Sequence, residues 1–414
     1  MLRSMFTAVT GLRSHQVMMD VTGNNIANVN TVGFKSSATV FQDLLTQTIA
    51  GASALNPNEG GINPAMVGLG VRVAGTSLSM SQGATQMTNK NTDISIQGDG
   101  FFILRTENTN MYARAGSFNF DALGRLVSPD GGILQGWIAD ANGQILLNQA
   151  PGDLRMPLGQ SIPPLATSTV NLQGNLDAAS AVGFQVTSSV QITDRQGTSY
   201  NVNITYTKAT TPNTWNVTAS SVVNGVNTPL TVNGGPLTFN PNTGGVTNGA
   251  ITITPTFGNF PSPITLDTGT PGQPDACTGF AGTSTLIAAR QNGYGLGILQ
   301  SFTIGADGVM MGVFSNGRNR AVGRVAMAAF TNPTGLEVTG RSMYRESANS
   351  GVAQVGQSNS GGRGMIAAGT LEMSNTDLAR EFTNLILAQR GFQANSRMIT
   401  SSDEMLQDLV NLKR

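Results

Sequence analysis

Two side chains, His15 and Cys277, are the only members of their types in this 414-residue sequence. A serine or cysteine nucleophile needs an imidazole and usually a third group to orient it, and zinc sites draw mostly on Cys and His. Neither set can be assembled from one histidine and one cysteine, so those mechanisms are excluded by count. Paired carboxylates remain open: Asp121, Asp130, Asp140, Asp153, Asp194 and Asp307 could converge on a glycoside. Each lies in turn-like sequence, as in Asp140-Ala141-Asn142-Gly143, where an aspartate hydrogen-bonds its own backbone, and the turn reading is preferred. No Walker loop or calcium-loop pattern occurs, and Gly68-Leu69-Gly70 lacks the third glycine of a dinucleotide fingerprint. Aromatic residues make up 6% of the chain and are not interleaved with Arg or Lys, which leaves a nucleic-acid platform unsupported. No catalytic, cofactor-binding or metal residues are assigned, and the chain is not expected to be an enzyme.

The residues with a clear pattern lie at the two ends. Leu2, Val9 and Gln16 recur every seven residues, interleaved with Met5, Leu12, Met19 and Ile26 at the same spacing. That period marks a helical stripe able to enter a coiled coil, and His15 falls inside it, in a solvent-facing or inter-helix position. The pattern stops in 22–33, where Asn and Gly tolerate the left-handed backbone that ends helices. Near the other end Leu378, Leu385, Phe392, Ile399 and Leu406 stand seven apart, with Phe382 and Val410 four residues beyond two of them. Ser374 and Asp377 read as its helix start, Lys413 and Arg414 as its basic close. About 38 residues give a rod of about 57 Å, longer than a small domain is wide. Gln389, Ser396 and Asp403 interrupt the stripe, so a lone helix pair is weak and several neighbours are required.

Charge offers little guidance to partners. The 23 basic residues balance the 23 acidic ones, and only 11% of residues are charged, so no overall field attracts nucleic acid or anionic lipid. Residues 209–266 carry no charge at all, yet prolines interrupt them, and no apolar run of about 18 residues marks a membrane helix. The N-terminus has no basic region followed by an apolar stretch and cleavage site, so export by a cleavable Sec-type signal is not expected. A single cysteine forbids an internal disulfide.

Between the ends the sequence is β-like. Tyr200, Val202, Ile204 and Tyr206 alternate with Asn201, Asn203 and Thr205, as in a half-buried strand. Asp99-Gly100, Asp130-Gly131, Asn142-Gly143, Asp307-Gly308 and Asn316-Gly317 signal tight turns, and Phe101-Phe102-Ile103-Leu104 reads as a strand buried on both faces. A chain of this length exceeds one core. The expected fold class is multi-domain and mainly β, with one β domain inserted in another, plus a discontinuous α-helical coiled-coil domain formed by the terminal helices. The division is 1–30, N-terminal helix; 31–75, connector; 76–158, first part of an inner β domain; 159–292, inserted outer β domain; 293–346, second part of the inner domain; 347–373, Gly/Ser-rich connector; and 374–414, C-terminal helix.

The terminal motifs then become specific. Asn24-Asn25-Ile26-Ala27-Asn28-Val29-Asn30-Thr31-Val32-Gly33-Phe34-Lys35 resembles the signature after the first helix of bacterial flagellar rod and hook proteins. Leu371-Glu372-Met373-Ser374-Asn375-Thr376-Asp377-Leu378 and Gln389-Arg390-Gly391-Phe392-Gln393-Ala394-Asn395-Ser396-Arg397 are similar to its C-terminal counterpart. The likeness continues through Gly98-Asp99-Gly100-Phe101-Phe102, Ser315-Asn316-Gly317 and 329–336, with Val29 departing from the family's usual alanine. The motif residues carried over are Asn24, Asn25, Asn28, Asn30, Gly33, Gln389, Arg390, Ala394 and Asn395.

What the resemblance implies is a self-assembling axial subunit. The inserted block favours the hook branch over the shorter rod proteins. Such subunits leave the bacterium unfolded through the flagellar type III export apparatus and form a short curved tube, outside the cell, that carries torque from rod to filament. Implied partners are further copies of the chain, the rod, the hook cap, the hook-filament junction proteins and the export apparatus, with no cofactor, no nucleic acid and no membrane insertion. The residues expected to assemble are Leu2, Met5, Val9, Leu12, Met19, Ile26, Leu378, Phe382, Leu385, Phe392, Ile399, Leu406 and Val410. The terminal helices are expected to order fully only on joining the tube. The alternatives are a distal rod protein or, in another class, a secreted β-rich adhesin or carbohydrate-binding protein built on the Thr/Asn-rich block.

Overall fold

The computed structural model describes residues 2–411, apart from 53, 55–59, 141, 142, 157, 158, 160, 224, 249, 271 and 274. Asn142 of the Asn142-Gly143 turn, and Lys413 and Arg414, lie outside the described residues. The chain forms two compact units: one of Met1–Pro157, Phe302–Gly312 and Ala321–Arg414, the other of Leu158–Ser301 and Val313–Arg320. The architecture is mainly β with two long helices, α1 (Leu2–Ala27) and α2 (Leu378–Asn411).

The first unit centres on strand Phe101–Thr106. It pairs antiparallel with Thr109–Ala113 on one side and with Ile133–Ile138 and Met327–Ala329 on the other. Phe101, Phe102, Ile103 and Leu104 are all buried, as the continuous apolar run requires. Phe101 and Ile103 face a core with Tyr112, Trp137, Ala328, Phe330 and Tyr344, in which the rings of Phe101 and Tyr112 meet Phe330 edge-on at 5.7 and 4.8 Å. Phe102, the next residue, meets Phe118 edge-on at 5.7 Å. Gly100 and Gly131 adopt φ +124° and +86°, the left-handed region their turns demand.

Two segments expected as connectors hold regular strands. In 31–75, Ser37–Asp43 pairs with Val71–Leu78, and Thr46–Ala50 with Ala65–Gly68, giving two antiparallel ribbons. In 347–373, Gln354–Gly356, Met365–Ala368 and Thr370–Glu372 pair with Met327–Ala329, Ile94–Gln97 and Thr85–Met87. Of the glycines there, Gly364 marks a tight backbone approach, where a Cβ would collide with the Gln97 carbonyl, while Gly351, Gly361, Gly362 and Gly369 take positive φ.

The second unit is a β domain with its own core. Its main strand order runs Gln185–Thr193, Ser199–Lys208, Thr214–Val223, Val226–Asn233, Ile251–Thr254, Ile264–Asp267, Thr169–Asn175 and Cys277–Thr278. Val202, Ile204 and Tyr206 point into the core while Asn201 and Asn203 face out, so the alternation seen in the sequence sets which face is buried. Trp215, Ile192, Leu266 and Cys277 complete that core. Burial pushes the Cys277 thiol up to about 12, far from the thiolate form that reacts. Cys277 should therefore resist a disulfide reagent in the native protein and label at the rate of unfolding; rapid labelling without denaturant would contradict this packing.

Candidate self-assembly site

Both helices begin and run as their sequences dictate. Asp377 accepts hydrogen bonds from the backbone amides of Ala379 (3.0 Å) and Arg380 (3.3 Å), which makes it the cap of α2. Ser374, read from the sequence as part of the helix start, instead bonds Thr376 one turn outside. The 34 residues of α2 correspond to about 51 Å.

The helices pack antiparallel on each other and approach most closely at two glycines. Gly11 lies so close to α2 that an added Cβ would sit 2.8 Å from Asn395 Nδ2, and Gly391 packs directly against the ring of His15. The buried positions on the two helices are Ala8, Gly11, Ser14, Thr22 and Asn25 on α1, and Glu381, Ala388 and Ser402 on α2. His15 is therefore an inter-helix residue; its ring also lies 5.9 Å from that of Phe41. The seam has its own seven-residue spacing, Glu381, Ala388, Asn395 and Ser402, which an apolar scan passes over because these side chains are small or polar.

The apolar stripe expected to meet neighbouring copies is partly exposed and partly half-buried in the single chain. Leu378, Phe382 and Val410 are exposed, at 40, 49 and 71% of their surface. Leu385, Phe392, Ile399 and Leu406 are half-buried, as are Met5, Val9, Leu12, Met19 and Ile26. The Leu2 side chain lies outside the described residues. Ile386, Leu387, Met398, Met405 and Phe6, not singled out from the sequence, are exposed as well. So many exposed large apolar groups on two helices are the mark of an interaction surface.

The sequence motifs hold the helix pair to the β domain. Asn25, fully buried, donates from Nδ2 to the Ser37 carbonyl (2.7 Å) and accepts from the Ser37 amide at Oδ1 (3.0 Å), imitating a strand partner. Asn28 donates to the Asn24 carbonyl (2.9 Å) and accepts from Thr31 Oγ1 (3.0 Å). None of these asparagines takes the left-handed backbone expected for the segment; only Gly33 does, at φ +68°. A Cβ on Gly33 would also strike the Ala115 backbone, and its amide donates to the Glu372 carbonyl (2.8 Å). Asn24, Asn30, Gln389, Arg390 and Ala394 are exposed, and Asn395 donates to the Gly391 carbonyl (2.9 Å).

A buried ion cluster sits beside this turn. Lys35 Nζ lies 2.7 Å from Glu372 Oε1, both side chains fully buried, and donates to the Ser81 carbonyl (2.7 Å). Arg114 Nη1 approaches Glu372 Oε2 at 3.5 Å and donates to the Gly98 carbonyl (2.9 Å), while the Gly83 amide donates to Glu372 Oε1 (3.0 Å). Burial lowers the Lys35 pKa, opposed by its hydrogen bond to and charge attraction from Glu372. Next to it Asn375 accepts from the Ser36 amide (2.8 Å) and donates to the Ser79 carbonyl (2.9 Å). One small region thus ties together the end of α1, the approach to α2 and the β domain. The sequence reading missed this cluster, since Lys35 and Glu372 stand 337 residues apart.

This geometry defines a structural subunit: a β scaffold, a rigid joint and two helices with uncovered apolar flanks. Four family models match: the flagella basal body rod protein at 5–35, the flagellar hook protein FlgE/F/G D1 domain at 95–178, the flagellar basal body protein FlaE D2 domain at 166–294, and the flagellar basal body rod FlgEFG protein C-terminal at 367–412. The chain is 39% identical to the flagellar hook protein FlgE of Treponema pallidum and 39% identical to that of Borreliella burgdorferi, each match covering 100% of both chains. The crystal structure of Helicobacter pylori flagellar hook protein FlgE2 shares the fold at TM-score 0.51 and 16% identity, over 68% of this chain and 98% of that one. The chain belongs to the flagellar hook protein family, as a structural, self-polymerising subunit of the hook and not an enzyme.

Removing one member of the ion cluster should be costly. Glu372→Ala strands two buried cations and should lower stability by about 3–5 kcal/mol, whereas the pair Lys35→Met with Glu372→Gln should lose less. Denaturant midpoints of the variants measure this, and equal losses would contradict a coupled cluster.

Proposed function

We propose that the chain joins the growing hook through its terminal helices, which form the inner tube while the β domains form the outer layers. In this reading 1–30 and 374–414 are the tube, 76–158 with 293–346 the inner β layer, and 159–292 the outer one. The observation that carries it is the exposure of Phe382, Ile386 and Leu387 at 49, 55 and 59% on a helix whose intramolecular seam is already filled by small groups. Burying such side chains fully is worth about 1.5–3 kcal/mol each, which is available only from neighbouring copies.

The subunit reaches the outside of the cell through the flagellar export apparatus. The tube it forms is short, curved and flexible, and conveys torque between the rod below and the filament above, meeting the cap and junction proteins at its growing end. A distal rod role is disfavoured by identity: 39% to two flagellar hook proteins against 31% to the basal-body rod protein FlgG of Bacillus subtilis, all over the whole chain. The ribbons of 37–78 belong to the connecting region between helices and β layers, where subunits must change spacing as a curved tube turns.

Leu385→Asp or Leu406→Asp should abolish polymer while leaving the β domains folded, because a carboxylate cannot be buried cheaply between helices. Sedimentation with circular dichroism reads both effects. Polymer at the wild-type yield from either variant would reject the assigned stripe, and equal helix content in free and polymerised protein would reject ordering on assembly.

A further inference from the structure

Glu381 is the anomaly of the helix pair. It occupies the α1–α2 seam, its side chain 5% exposed, yet its only charge contact is Arg380 Nε at 3.9 Å, on a side chain that is itself 60% exposed. Its carboxylate receives no hydrogen bond from any described residue; only its backbone amide is used, donating to the Asp377 carbonyl. Glu381 and its neighbour Arg380 both line a cleft of about 360 Å³ shared by α1, α2 and the base of the first ribbon. Thr22, Ser36, Ser37, Thr39 and Asn384 line the same cleft, and Thr39 Oγ1 is buried there with no partner.

We propose that this cleft is a socket for an arginine of a second copy of the chain. A guanidinium offers five donors in a fixed plane, suited to one carboxylate surrounded by hydroxyl and amide oxygens. A divalent ion is a poorer match, because no cluster of three His, Cys, Asp or Glu exists among the described residues and the cleft holds one carboxylate. The donors are present on the same helices: Arg3, Arg13, Arg390 and Arg397 are exposed and form no ion pair with any described residue. Each copy therefore carries both a carboxylate whose oxygens meet only the solvent of the cleft and the exposed Arg380, and cations without an ion pair, the arrangement a head-to-tail contact between identical subunits can satisfy. Packing of further helices around the cleft would remove its remaining water, and a desolvated carboxylate then requires a cation.

The inference rests on assembly through the terminal helices, and the test separates the two. Glu381→Gln keeps shape and removes charge; it should raise the critical concentration for polymer roughly tenfold or more. Glu381→Arg should block polymer, and Arg→Glu at one of positions 3, 13, 390 or 397 should restore it in the Glu381→Arg background. The thermal melt of free Glu381→Gln should match wild type. Wild-type critical concentration for Glu381→Gln, failure of all four reversals, or a melt lowered in free Glu381→Gln would each overturn the socket while leaving helix-mediated assembly standing. Loss of that wider reading would show instead as a wild-type polymer whose terminal helices do not touch other copies.

Discussion

Two helices that meet through glycine, alanine, serine and asparagine can approach closely, but they cannot hide their own leucines. That constraint shapes the whole subunit. Gly11 against Asn395 and Gly391 against His15 bring α1 and α2 together, and the large apolar side chains are turned to the flanks. The ribbon strands cover part of α1, as the contact of His15 with Phe41 shows, and leave Phe382, Ile386 and Leu387 on α2 exposed. In the proposed assembly, neighbouring copies complete that packing.

Such helices are useful mechanically only if they are fixed to the body they carry. Lys35, Glu372 and Arg114 supply that fixture with three charges in a buried setting, joined by Asn25 and Asn375, whose amides imitate backbone partners. An apolar joint of the same volume could be as stable. The charged one differs in that each hydrogen bond has a direction, so it holds the helix pair at one orientation relative to the strands. Asn25, Gly33, Lys35, Glu372 and Asn375, all from the two terminal motif segments, are the residues that meet at this spot.

Much of this was legible in the sequence and some was not. The continuous run Phe101–Leu104 and the alternation at 200–206 announced which strands were buried on two faces and which on one. The heptads located both helices, because large apolar residues at fixed spacing leave a strong periodic signal. The actual seam was overlooked for the converse reason: Ala388 and Ser402 have little hydropathy to detect. Glycine-rich 347–373 reads as a connector, yet it holds short paired strands, because Gly364 allows close approach to Gln97 and other glycines supply the turns between strands. The ion cluster has no local signature, since its members are brought together only by the closed fold.

The most direct measurement is a density map of the polymer at side-chain resolution. The account predicts Phe382, Ile386, Leu387 and Met398 enclosed by helices of adjacent copies. Finding those side chains facing solvent in the finished tube, with subunits joined only through their β domains, would contradict it.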